Sequence, residues 1–208
     1  MCGRFTLRTP LSTLARQLAL PLSDEVIARV PTPRFNVAPT QCIAAAWTSP
    51  GGQREITAMR WGLVPPWVRA PRAKDRLINA RSETVSQRPA FRRAFARRRC
   101  LVLADGFYEW RHEPHGNRPY LFERIDGQPL LLAAIWEPPR EEEPEPRLPG
   151  CAILTVAANP LVAQFHDRMP AILDPQQWAP WLVPEAPREE LLALLVPLPE
   201  GVLAARPS

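Results

Sequence analysis

At 208 residues, 46 % hydrophobic and 23 % charged, the chain has room for one substantial core and is too apolar for a disordered tail. Its 27 prolines, about 13 % against a usual ~5 %, argue against long helices and for short elements joined by ordered turns. The net charge of +5 is unevenly spread: Arg60 to Arg99 carries eleven arginines and Lys74 against Asp75 and Glu83, a local +10 that leaves −5 for the remainder. Such a segment is either a polyanion-binding surface or a solvated basic face.

In chain order, Thr9 as N-cap and Pro10 at the first helical position precede an apolar stripe of Leu11, Leu14, Ala15 and Leu18, which predicts a short amphipathic helix. Residues 41–48 and 54–61 predict strands separated by the Pro50-Gly51-Gly52 turn. A loop rich in Trp and Pro, Trp61 to Trp67, leads into the basic segment. There Pro89 opens a predicted helix with Phe91, Ala94 and Phe95 on one face and Arg92, Arg93, Arg97 and Arg99 on the other. Strands are expected at 100–104, 107–111, 119–124, 130–136 and 151–156, with Asp105-Gly106 reading as a hairpin turn between the first two. Residues 137–149 hold five glutamates and five prolines, which predicts an exposed acidic, proline-rich loop. Short helices near 160–165, 175–182 and 188–195 complete one α+β domain over 1–208, strand-rich, with curved antiparallel sheets and short peripheral helices.

The longest apolar run, Leu130 to Trp136, is far short of the ~20 residues that span a bilayer. The opening Met1-Cys2-Gly3-Arg4-Phe5 lacks a signal peptide's apolar segment, and glycine at position 3 does not suit myristoylation. Cysteines at 2, 42, 100 and 151 have no zinc-ligand spacing and read as reduced thiols. A cytosolic monomer without membrane contact, metal or cofactor is the expectation. His112-Glu113-Pro114-His115 has a ligand-like spacing, but Pro114 prevents the helix that would align both imidazoles, so a surface hairpin turn is expected.

Cys2 carries the first candidate chemistry. Removal of Met1 leaves an N-terminal cysteine whose α-amine, with a pKa near ~7.7–8, keeps a usable neutral fraction at physiological pH. Such a 1,2-aminothiol condenses with an aldehyde to an imine and then a thiazolidine. The same terminus also suits an N-terminal-nucleophile amidotransferase, in which the thiol attacks an amide. The arginine- and glycine-rich glutamine pocket expected of that class has no match here.

Five further motifs follow at wide spacing: Arg34-Phe35-Asn36-Val37-Ala38-Pro39, Trp61-Gly62-Leu63-Val64-Pro65, Asn79-Ala80-Arg81-Ser82-Glu83-Thr84, Ala104-Asp105-Gly106-Phe107-Tyr108-Glu109-Trp110 and His166-Asp167-Arg168-Met169-Pro170. With Met1-Cys2-Gly3-Arg4-Phe5, they resemble the SOS response-associated peptidase family, the abasic-site processing proteins, over about residues 1–196. The chain ends at Ala205-Arg206-Pro207-Ser208, where the family usually continues through a Val-Ser…Val-Asn segment.

The resemblance implies a reactive Cys2, an active-site Asn79, an acidic Glu109 and a histidine at His166. It implies binding to single-stranded DNA at an abasic site, a thiazolidine joining Cys2 to the ring-opened sugar, autocatalytic removal of Met1, and reversal of the crosslink. These are autopeptidase and lyase-type activities of a DNA-damage protein found on the nucleoid when bound. The residue types suit that chemistry, because imine formation needs an acid to expel water and a base to deprotonate the attacking groups. Strand alternation places Phe107, Glu109 and Arg111 on one face. His166 has Asp167 as an orienting partner, and Asn79 donates and accepts hydrogen bonds without titrating. Arg4, Asn36, Arg81, Arg92 and Arg93 are candidate DNA contacts, and Trp61 and Trp67 with Pro65 and Pro66 are a candidate stacking platform for unpaired bases. Two other readings stay open: a thiol peptidase acting in trans through Cys2 and His166, and a noncovalent single-strand or modified-base binder.

Overall fold

The computed structural model describes residues 3–69, 71–114, 116–143, 147–174 and 178–208. In chain order the first strand is β1 (Phe5–Leu7), followed by α1 (Leu11–Leu18), α2 (Asp24–Arg29), β2 (Arg34–Val37), β3 (Cys42–Thr48) and β4 (Arg54–Trp61). The basic segment holds β5 (Asn79–Arg81), α3 (Ser82–Val85) and α4 (Arg92–Arg97). Then come β6 (Arg99–Ala104), β7 (Gly106–Glu113), β8 (Gly116–Arg124), β9 (Leu130–Glu137) and β10 (Gly150–Ala157). The last elements are β11 (Arg168–Pro170), β12 (Ile172–Leu173), α5 (Trp178–Trp181), α6 (Arg188–Ala193) and β13 (Leu203–Pro207).

Five strands close on themselves. β4 pairs with β3, β3 with β6, β6 with β9, β9 with β10, and β10 returns to β4. Closure explains why β6 and β9 are buried at every position and read as continuous apolar runs, since one face lines the ring and the other is covered. Runs of small residues, Ala44–Ala46 on β3 and Ala133–Ala134 on β9, are fully buried and let the ring draw tight. The helices α2, α4 and α5 pack on its outside, against β4, β6 and β9. Most pairings are antiparallel, as expected. Among the described residues the parallel pairings between strands both involve β10, which runs parallel to β4 and to β5.

A second, five-stranded antiparallel sheet runs in the order β13-β8-β7-β1-β2. The Asp105-Gly106 hairpin expected between β6 and β7 is not one, because these strands lie in different sheets. Instead the Asp105 carboxylate is held by the turn after β1: it accepts from the Thr9 amide at 2.9 Å, the Thr9 hydroxyl at 2.6 Å and the Arg8 amide. Thr9 is therefore engaged with Asp105, and Pro10 takes the N-cap of α1 with no side-chain cap. Glycine is required at 106, since a Cβ there would meet the Phe122 carbonyl at 2.7 Å. The actual hairpin is β7–β8, with Glu113 opposite Gly116, in the turn expected from Pro114; His115 and the His112 side chain lie outside the described residues.

Two further differences bear on charge. Arg99 is not on the exposed face of α4 but 3 % exposed, donating to the carbonyls of Phe95 at 2.7 Å, Trp181 at 2.9 Å and Pro184 at 3.1 Å, and to that of Val183. Burial lowers its pKa to about 10. Glu137 and Glu143, at the start and middle of the acidic stretch, are buried rather than exposed, because they pair with Arg98 and Arg76, each at 2.6 Å. Glu141 and Glu142 are exposed, and residues 144–146 lie outside the described residues. Near the C-terminus, Leu203–Pro207 forms a strand, pairing with β8 from Leu203 opposite Arg124 to Pro207 opposite Tyr120.

Candidate active site

The site is built where the start of the chain meets β7. In β1, Phe5 faces Phe107 and Thr6 faces Gly106, and the Tyr108 amide donates to the Arg4 carbonyl at 2.9 Å. Arg4 thus lies beside Tyr108, the residue before Glu109. Cys2 itself lies outside the described residues.

Glu109 is 3 % exposed on the face of β7 that also carries Phe107, while Tyr108 and Trp110 alternate onto the other face. Burial pushes its carboxyl above the usual glutamate range; nearby His166 opposes the rise and Asp167 adds to it. A carboxyl held this way keeps its proton nearer to neutrality than a solvated one does, as a general acid requires.

His166 reaches the same face through its neighbour. Tyr120 of β8 is the cross-strand partner of Glu109, and its ring packs on Phe165 at 4.8 Å between centroids. Phe165 also meets Phe122 edge-on at 5.1 Å, and the Arg111 guanidinium lies over it at 6.0 Å. The 3-10 turn Val162–Gln164 that delivers Phe165 is fixed by buried Asn159, which accepts from the Val162 amide at 3.0 Å and donates to the Leu198 carbonyl at 3.1 Å. In the neutral ring, His166 Nδ1 accepts from the Arg168 amide at 2.9 Å, which puts the proton on Nε2. Asp167 Oδ1 is also 2.9 Å from Nδ1, so a protonated ring has a carboxylate waiting for the proton that the amide cannot accept.

Asn79 arrives on β5, whose residues Asn79, Ala80 and Arg81 run parallel to Ile153, Leu154 and Thr155. Beneath it, Trp61 is fully buried, packs on Phe5 at 5.2 Å and donates its indole N–H to the Ile78 carbonyl at 3.0 Å. Trp61 is thus not a stacking surface for bases. At the end of β4 its ring points into the core, where it supports both β1 and the residue before Asn79.

Among the expected DNA contacts, Arg4 and Asn36 touch each other, Nη1 to Oδ1 at 2.9 Å, beside the entry of the chain. Trp67 is 61 % exposed. Arg81, Arg92 and Arg93 are exposed, the last two on α4. Residue-type reasoning misses Arg168, which bonds Glu83 Oε1 at 2.6 Å and Oε2 at 3.0 Å and the Thr155 carbonyl at 2.6 Å. Its presence in the His166 motif and that of Glu83 in the Asn79 motif are visible in the sequence; their pairing across 85 positions is not.

The chain belongs to the SOS response-associated peptidase (SRAP) family, whose model matches residues 1–207. It is 34 % identical over 187 residues to the abasic site processing protein YoqW of Bacillus subtilis, spanning 89 % of this chain and 81 % of that protein. It is 32 % identical over 196 residues to the abasic site processing protein YedK of Escherichia coli, spanning 91 % and 83 %. A crystal structure of a Bacteroides thetaiotaomicron protein superposes with a TM-score of 0.87 at 26 % identity, covering 99 % of this chain and 91 % of that one.

Proposed function

We propose that this protein acts on abasic sites in single-stranded DNA, joining them covalently through Cys2 once Met1 is removed. The relatives named as abasic site processing proteins support the substrate. What supports the chemistry is the pairing of β1 with β7, which sets Arg4 against Tyr108, the residue before buried Glu109, on a strand whose cross-strand partner Tyr120 packs on Phe165, the neighbour of His166.

In this reading the ring-opened abasic sugar presents its C1′ aldehyde to the amine of Cys2. The amine adds to the carbonyl carbon, and the carbinolamine loses its hydroxyl as water when Glu109 supplies the proton, giving an imine. The Cys2 thiol then adds across the C=N bond. Sulfur bonds to C1′, its proton passes to nitrogen through the carboxylate or the imidazole, and a thiazolidine closes with one water released overall. Reversal runs the same steps backward. Asn79 holds a sugar hydroxyl, and the exposed arginines hold phosphates. Autocatalytic loss of Met1 belongs to the same reading: the Cys2 thiol attacks the Met1 carbonyl carbon, the amide C–N bond breaks to free the protonated Cys2 amine, and water hydrolyses the resulting thioester to release methionine and regenerate the thiol.

Incubation of the purified protein with an abasic single strand, followed by denaturing electrophoresis, tests it. A heat-stable shifted band, absent with the undamaged strand and with Cys2→Ala, is the expected result. Binding without such a band would make the protein a noncovalent binder, and cleavage of a peptide in trans without it would make it a thiol peptidase.

A further inference from the structure

The acidic stretch between β9 and β10 turns one carboxylate inward, and that carboxylate anchors the loop that presents Trp67. Glu143 is 5 % exposed. Its Oε2 accepts from Arg76 Nη2 at 2.6 Å, and its Oε1 accepts from the Arg140 amide at 3.3 Å. Each of these arginines reaches on to a carbonyl of the Trp61–Trp67 loop: Arg76 Nη1 donates to that of Gly62 at 3.4 Å, and Arg140 Nη2 to that of Val64 at 3.3 Å. Between the two anchors, Leu63 and Leu77 exchange amide-to-carbonyl bonds at 2.9 and 2.8 Å. The backbone has no slack at Gly62, whose φ is 142° and where a Cβ would stand 2.9 Å from that of Arg76. From Val64 to Trp67 the chain passes only through Pro65 and Pro66, whose rings fix φ, and the Val68 amide closes the turn on the Pro65 carbonyl at 3.1 Å. The direction set at Val64 is therefore carried to the exposed ring of Trp67.

We propose that Glu143 is a positioning residue for single-strand binding, holding the Trp67 loop in place through Arg76 and Arg140; the inference rests on the strand binding in the function proposed above. The Arg76 side chain is 10 % exposed, and a guanidinium so far out of water needs a counter-charge. Without Glu143 it turns away to solvent or to a phosphate, and Gly62 loses its anchor. Loss of the Arg140 amide bond loosens the segment that reaches Val64. Charge alone predicts the opposite sign. Arg76 lies in the +10 segment, so removing a carboxylate beside it would tighten the hold on a polyanion, whereas releasing the loop weakens it.

Affinity for an undamaged single strand, measured by titration at fixed salt, tests this in Glu143→Gln and Glu143→Asp, each made in the parent and in Trp67→Ala. Asp keeps the charge but falls one methylene short of Arg76, so it separates reach from charge and carries the test if the amide variant does not fold. Both substitutions should weaken binding in the parent by about five- to a hundredfold, the range that one base–aromatic stack spans. In Trp67→Ala they should change it little, because the residue through which Glu143 acts is gone. Unchanged or tighter binding in the parent would overturn the proposal. So would equal weakening in both backgrounds, which is what a merely structural role produces. Absence of crosslinking to an abasic strand by the parent would overturn the covalent function, and the affinities would still decide the role of Glu143.

Discussion

Arg168 grips Glu83 through both guanidinium nitrogens, at 2.6 and 3.0 Å, and so ties the segment carrying His166 to the segment carrying Asn79. The same guanidinium bonds the Thr155 carbonyl, and Thr155 is the partner of both Arg81 on β5 and Pro170 on β11. Two distant motifs therefore meet on β10. The bond from Arg168 to Glu83 is the main reason the Glu83 carboxyl titrates below the usual glutamate range. A carboxylate depressed in the folded state contributes stability above its unfolded pKa and loses it as pH falls through the folded value. Glu83→Gln should therefore lower the thermal midpoint at pH 7, by the about 0.2–1 kcal/mol of an exposed pair, and the difference from the parent should shrink as the pH falls below the ordinary glutamate range. Thermal melts across that range check it, and a gap that widens on acidification contradicts the pairing.

Glu109 follows the opposite sign. Burial raises its pKa, so the folded state favours the protonated form, and the stability this gives is full below the ordinary glutamate value and lost as pH rises through the folded one. Glu109→Gln should therefore be at least as stable as the parent at pH 7. It should also slow crosslink formation or reversal by about 10²–10⁴-fold, the usual worth of general acid–base assistance. Rates and melts on the same preparation separate the two effects, and unchanged rates would remove Glu109 from the chemistry.

The two tryptophans of the Trp61–Trp67 loop should behave differently. Trp61→Ala removes a fully buried ring and its bond to Ile78, a loss of about 3–5 kcal/mol in urea unfolding. Trp67→Ala changes an exposed ring, so stability should hold while single-strand affinity drops by about 1–3 kcal/mol. Comparable destabilisation by both would contradict this assignment.

Arg92 and Arg93 stand exposed on α4 within the +10 segment. If they touch phosphate, replacing both with alanine should flatten the log–log salt dependence of single-strand binding by about 0.7 for each phosphate no longer neutralised. Titrations at several salt concentrations measure the slope, and an unchanged slope places both outside the interface.

Where the periodicity is local, the sequence is readable. The apolar stripe of α1 and the long strands β3, β4, β9 and β10 lie where their patterns put them. The strand β5 escapes such a reading, because three residues pairing with β10 carry no period of their own. Asp105-Gly106 misleads because the dipeptide that closes a hairpin also suits a chain passing between sheets, and only the distant Thr9 decides which it is. Trp61 and Trp67 share a composition and a loop; their opposite exposure comes from Phe5, 56 positions before Trp61, packing on one of them. Arg99 is indistinguishable from its neighbours in the sequence because the carbonyls that bury it belong partly to residues 181–184. At the site, the motifs name the residue types, while Tyr120, which pairs with Glu109 and packs on Phe165 beside His166, lies in none of them.

In the proposed function the reacting residue is Cys2, acting through both its amine and its thiol. Tryptic digestion of the gel-purified adduct, followed by mass spectrometry with prior alkylation of free thiols, measures this directly. The sugar is expected on the peptide Cys2-Gly3-Arg4, with Met1 absent, one water lost and the Cys2 sulfur closed to alkylation. An adduct on a peptide that retains Met1, on any other residue, or on a Cys2 whose thiol still alkylates would contradict it.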